Sequence, residues 1–208
     1  PPTHAVKALI GAAEIRSGQQ KHAEAETLLA RADALAQSPA DRMTVRFGLG
    51  SLQLTKGNYS AARASYQSVL GLPKLTAYAR NRAELGMAHA LVGEEKPDSA
   101  LALANAILDR EPTSVYGAEA ACIKVRILFE EERHADCYEQ AVALARQYKS
   151  HNVWRARIFL ILAQNYFEQG DKDQALSTLE SILKNAPSEA IKAEAKALSE
   201  EAQKYVEE

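Results

Sequence analysis

Apolar residues recur along this chain every three to four positions with polar residues between them, and the rhythm breaks at regular intervals. Between Trp154 and Pro187, Phe159, Leu162, Ala163 and Tyr166 fall on one face of a helix, and Ala175, Leu179, Ile182 and Leu183 on one face of a second. Gln169-Gly170-Asp171 separates the two runs, where glycine supplies the backbone freedom of a reversal, and Pro187 stops the second helix. The pattern predicts an antiparallel helical hairpin. Ala163 and Ala175 are the small residues expected at its close contact.

The pattern repeats. Turn signals stand at Ser17-Gly18, Lys56-Gly57-Asn58 and Gly93-Glu94-Glu95, and small residues precede them at Gly11, Gly50 and Gly86, with Val125 in that place further on. The spacing pairs Gly11 with Ala23, Gly50 with Ala62 and Gly86 with Ala100, and puts Val125 and Cys137 in the small-residue places of a fourth repeat. Pro39, Pro73, Pro112 and Pro187 close successive repeats, with one marker missing near Tyr148 to Ser150. Five hairpins follow, at 4–39, 43–75, 78–113, 117–150 and 154–187, the third turn reading as stretched by Glu94-Glu95-Lys96-Pro97-Asp98. The alanine-rich segment 188–206 predicts a final capping helix, either solvated or docked on more of a parent chain. Glu200, Glu201, Glu207 and Glu208 near its end oppose the helix dipole, so its last turn is expected to fray.

Composition turns this periodicity into a fold class. Alanine supplies 39 of the 208 residues while valine, isoleucine and threonine are sparse, which favours an all-α chain. Lys+Arg 25 against Asp+Glu 27 leaves a net charge of -2, so no basic surface is expected to follow a phosphate backbone, and nucleic acid is excluded as a partner. Tyr66, Tyr138 and Tyr166 accordingly read as packing bulk between helices rather than as base-stacking platforms. The longest clean apolar run, Ile158 to Ala163, is far short of the ~18 residues of a membrane helix, so direct insertion is not expected. The opening Pro1-Pro2-Thr3 has neither an initiator methionine nor a signal-peptide pattern, which predicts a segment of something longer.

Candidate chemistry is sparse. Cys122, His134 and Cys137 form the one group with metal-ligand character, but a fourth ligand is missing and Cys137 reads as a small buried hydrophobe. A Cys122–Cys137 disulfide requires Cα atoms within about 7 Å, and a reactive Cys122 thiol has only Lys124 and Arg126 nearby to lower its pKa. No His-Glu-x-x-His, Gly-x-Ser-x-Gly or phosphate-loop motif occurs, so no catalytic residue, metal or cofactor is expected and the chain does not read as an enzyme. Asn58-Tyr59-Ser60 fits a glycosylation acceptor but lies in a helix-to-helix turn, where asparagine is ordinary turn chemistry.

Leu49-Gly50 and Leu85-Gly86, Tyr59, Tyr166, the turn glycines, the alanines opening the second helices and the closing prolines together resemble the tetratricopeptide repeat family. The resemblance spans nearly the whole chain and implies one domain, 1–208, built as a right-handed superhelical solenoid of five hairpins plus a C-terminal capping helix. In such an array first helices line a concave groove and second helices form the back. The family's groove places transfer to Thr44, Phe47 and Ser51, to Arg80, Ala83 and Met87, to Glu119, Cys122 and Arg126, and to Arg157, Leu160 and Gln164. Arg80, Arg126 and Arg157 would meet carboxylates of a peptide or protein partner while Phe47, Met87 and Leu160 take apolar side chains. Ala8, Ala12, Phe47 and Gly48 stand where members gripping acidic chaperone tails carry lysine and asparagine, so that clamp is absent. Long repeats with an Ala-Arg-rich helix, as in Trp154 to Leu160, are similar to large repeat proteins of bacterial envelopes, which points to periplasm or cell envelope. The resemblance implies a non-catalytic interaction scaffold. Alternative readings are an accessory domain of a larger envelope assembly factor or protease, and a peptide-sensing helical repeat.

Overall fold

A computed structural model of the chain describes residues 2–204. Among them are eleven helices and no strand: α1 (Pro2–Gly18), α2 (His22–Leu35), α3 (Pro39–Thr55), α4 (Tyr59–Leu70), α5 (Ala77–Gly93), α6 (Pro97–Arg110), α7 (Val115–Glu130), α8 (His134–Gln147), α9 (Asn152–Glu168), α10 (Lys172–Asn185) and α11 (Glu189–Lys204). Five consecutive hairpins and a closing helix result, as the periodicity predicts. Tyr205 and Val206 of the expected capping helix, with Glu207, Glu208 and the fraying turn, lie outside the described residues.

Each hairpin turns in the same way. The residue in the middle of the turn has left-handed backbone, at Gln20, Gly57, Glu95, Glu132 and Gly170, so the beat is 37, 38, 37 and 38 residues. Around Glu132, its own N–H donates to Phe129 O and the N–H of Arg133 donates to Leu128 O, both at 2.9 Å. This crossed pair satisfies carbonyls that the ending helix leaves free. The equivalent bonds recur at the other four turns. Only three residues separate the two helices every time, so the third turn is not stretched: Pro97 opens α6 instead, a position where a missing N–H costs nothing.

A second beat marks the junctions between hairpins. Ser38, Thr76 and Ser114 accept N-cap hydrogen bonds at α3, α5 and α7, and Ser188 Oγ accepts from Ile191 N at α11. His151 holds the matching place before α9 without capping it. Pro39 therefore does not close the first hairpin; it sits at the N-terminal end of α3, inside a capping box formed by Ser38 and Asp41.

The repeated turn sets the true close-approach register at twelve residues. Buried pairs stand at Ala13 and Ala25, Gly50 and Ala62, Ala88 and Ala100, Val125 and Cys137, and Ala163 and Ala175. The expected pairs Gly11 with Ala23 and Gly86 with Ala100 are thus out of register. Gly11 has open space where a side chain would stand, and Ala23 is exposed. Gly86 serves another contact: a Cβ there would lie 2.4 Å from the Tyr66 ring.

The chain gathers into two compact units, Pro1–Leu103 and Ala104–Glu208, divided within α6. In the first, α1, α3 and α5 pack side by side with α2 and α4 against them; in the second, α7, α9 and α11 do so with α8 and α10. Val6, Leu29, Val45 and Leu52 anchor one core cluster of the first unit, and Tyr66, Val69, Ala79 and Ala83 another. In the second unit Ile158, Ile161 and Leu162 of α9 join α7 and α8, while Ala156, Leu160 and Ala163 join α10 and α11. One helix thus buries two faces and keeps two others free.

Candidate functional site

Counting back from the turn residue locates the same face on each first helix. Thirteen residues before it stand Lys7, Thr44, Arg82, Glu119 and Arg157, and six before it Glu14, Ser51, His89, Arg126 and Gln164. The intervening turn of helix carries Ile10, Phe47, Leu85, Cys122 and Leu160, all buried except the half-buried Cys122. Thr44, Ser51, Glu119, Cys122, Arg126, Arg157 and Gln164 thus share one set of repeat positions. The third hairpin is shifted by two: Arg82 and His89 hold the places expected of Arg80 and Met87. The shift follows from taking Gly86 for the close-approach residue when Ala88 fills that role.

Phe47 and Leu160 are corrections of another kind. At 2% and 1% exposure they are core, and no ligand side chain reaches them without unpacking the hairpin. The Arg82 guanidinium covers the Phe47 ring at 4.5 Å, and Arg82 Nη1 donates to Tyr78 Oη at 3.3 Å. Met87 is half-buried against the cluster around Tyr66, whereas Arg80 is exposed.

In the second unit the face is a charge-balanced strip. Arg126 Nη1 donates to Gln164 Oε1 at 3.1 Å and its Nε lies 4.0 Å from Glu130, while Arg157 lies 4.0 Å from Glu194 of α11. Gln164 holds in α9 the position that Arg126 holds in α7, six residues before the turn. Between them the Cys122 thiol is pushed up to about 11 by burial, against which Arg126 and Arg157 act. Val115 and Val153, 45% and 44% exposed, hold the same place near the starts of α7 and α9. In the first unit Tyr78 takes that place, 54% exposed.

Tetratricopeptide repeat models match residues 10–80 and 158–188. The chain superposes on TTC0263, a thermophilic TPR protein of Thermus thermophilus, with a TM-score of 0.72 at 15% identity over 95% of this chain and 98% of that one. Residues 10–80 and 158–188 thus carry tetratricopeptide repeats, and the chain as a whole has the fold of a TPR protein. Similar TPR folds include YrrB, described as a TPR protein with an unusual peptide-binding site, with a TM-score of 0.51 at 19% identity over 91% and 90% of the two chains. RapI in its apo form gives 0.65 at 12% over 97% of this chain and 61% of that one. No curated protein matches the sequence.

The cysteines of this TPR chain are free thiols. Cys137 lies in the hairpin contact with its Sγ 3.8 Å from Val125 O, and burial pushes its thiol up to about 11. His134 opens α8, where its Nδ1 is 2.9 Å from Asn165 Oδ1 and its carbonyl accepts from Asn165 Nδ2. That reciprocal pair ties α8 to α9 and satisfies a fully buried asparagine. Among the described residues no group of three or more His, Cys, Asp or Glu is placed to hold a metal. Tyr138, expected as packing bulk, is 46% exposed and rests its ring edge-on against Tyr166 at 6.0 Å.

Proposed function

We propose that this TPR protein is a non-catalytic scaffold that binds an extended peptide or protein segment along the inner faces of its first helices. The observation that carries the reading is the strip on α7, α9 and α11: Arg126, Arg157 and Gln164 alternate with Glu119 and Glu194, beside the exposed Val115 and Val153. Both charges there are already partly compensated. A segment of mixed charge with small apolar side chains therefore exchanges pairs with the strip, losing less on desolvation than an all-acidic one. On the first unit, Ser51 of α3 and Arg82 and His89 of α5 take the corresponding roles, with Arg80 and Met87 flanking them. YrrB is described as having a peptide-binding site; its 19% identity carries the fold alone.

Selection of a random peptide library against the wild type and against Arg126→Glu with Arg157→Glu tests the reading. Both arginines are partly exposed, so the variant is expected to keep its helicity. Wild type should enrich sequences with carboxylates and small apolar residues, and the double variant should lose that enrichment. Identical enrichment by both proteins would remove the strip from the binding surface.

A further inference from the structure

The last two hairpins finish their open ends differently. In the fourth, Tyr148 stands sixteen residues after Glu132 and is fully buried, its hydroxyl donating to Glu111 O at 3.3 Å. It lies over Gly117, fifteen residues before Glu132, and only glycine fits there: a Cβ would be 2.5 Å from Tyr148 Oη and 2.0 Å from Glu111 O. A tyrosine ring thus plugs the space between the start of the first helix and the end of the second.

Around Gly170 the corresponding residues are Ala186 and Arg155. No ring fills the space, and a cavity of about 430 Å³ opens between the start of α9 and the end of α10. Phe159 and Ile182 form its apolar wall, and Asn152, Ser181 and Asn185 bring neutral polar groups. Arg155 is the one charged side chain lining it, with no carboxylate among the lining residues. Its guanidinium stands 5.6 Å from the Phe159 ring centroid, at the cavity edge. A space of this size takes a small ligand group, and an uncompensated guanidinium beside neutral donors selects a carboxylate.

We propose that this open hairpin end binds an acidic segment of a partner protein. An aromatic side chain of the partner enters where Tyr148 lies in the preceding hairpin, and a carboxylate beside it meets Arg155. The site does not depend on the inner strip: at 3.6 residues per turn, Arg155 and Phe159 face away from Arg157 and Gln164 across α9. It would make the scaffold two-sided, with a second contact on the face of the second helices.

The test is a titration of the ¹⁵N-labelled protein with the capped tripeptide acetyl-Glu-Tyr-Glu-amide, followed by NMR, with acetyl-Lys-Tyr-Lys-amide alongside. The acidic peptide is expected to shift the side-chain amides of Asn152 and Asn185 and the Nε–H of Arg155, and the basic one to leave them in place. Arg155→Glu should weaken the acidic peptide at least tenfold. The double variant Arg155→Gly with Ala186→Tyr, which rebuilds the plug of the fourth hairpin, should abolish its binding. If that variant does not fold, Arg155→Glu at its exposed position still decides. Equal shifts with the basic peptide, an unchanged affinity in Arg155→Glu, no shift up to 10 mM peptide, or shifts centred on the Gln164 amide would each overturn the proposal.

Discussion

Gln20, Glu95 and Glu132 hold φ values of 61°, 57° and 56°, a backbone region that side chains enter at a cost and glycine enters freely. Gly57 and Gly170 fill the same place in the other two turns. Replacing Glu132 by glycine is therefore expected to stabilise the protein by about 0.5–1 kcal/mol, seen as a higher urea midpoint at unchanged slope. Two other glycines separate packing from propensity. Gly117→Ala drives a methyl into Tyr148 and the Glu111 carbonyl and should cost at least ~1 to 3 kcal/mol. Gly11→Ala, in a helix with open space beside it, should gain about 0.5–1 kcal/mol. A melt that orders the two variants the other way would contradict the assigned contacts. From sequence, Gly11 and Gly117 look alike, because what tells them apart is the side chain that arrives from another helix.

At the scale of the helix, the hairpins were legible because each needs only local periodicity, a turn and a stop. Register was harder. Gly50 marks both its own hairpin contact and a seat for Tyr66, whereas Gly86 marks only the second, and reading the two as equivalent displaced the third inner face by two residues. The serine and threonine N-caps carried a signal that the prolines obscured: Ser38, Thr76, Ser114 and Ser188 hold one beat, with His151 in the remaining place. Ser38→Ala should cost about 1 kcal/mol of stability. Asp41, the other half of that capping box, is held below the ordinary carboxylate range by hydrogen bonds from Ser38 and Thr3 and by Lys7 nearby, against its own desolvation. A carboxyl lowered on folding stabilises the fold above its unfolded pKa, and that contribution disappears as pH falls through the lowered value. Asp41→Asn is accordingly expected to be less stable than wild type at pH 7 and to approach it at pH 2 to 3 in matched urea titrations.

Across the whole molecule, the two cysteines report on different things. Cys122 is half-buried on the inner face of the second unit, and Cys137 is fully buried inside a hairpin. Both thiols lie near 11, so alkylation at pH 7.5 should be slow in each. Cys122 is expected to react first, and Cys137 at a rate that follows unfolding of its unit as urea is added. A peptide selected for the inner strip should protect Cys122 and leave Cys137 unaffected. Equal protection of both would indicate general stabilisation rather than occupancy of the strip.

The all-α class, the five hairpins, the closing helix and the tetratricopeptide resemblance follow from the sequence alone. They rest on helical periodicity and on turns inside single hairpins, which leave their periods and turn residues in the chain. Arg126, Arg157 and Gln164 share one face because their spacing from the turn residue fixes it. Tertiary packing decided the rest, because burial depends on neighbours distant in sequence. It put Phe47 and Leu160 in the core rather than on the surface, paired Arg157 with Glu194 and Arg126 with Gln164, and left an empty space at Ala186 where the preceding hairpin holds Tyr148.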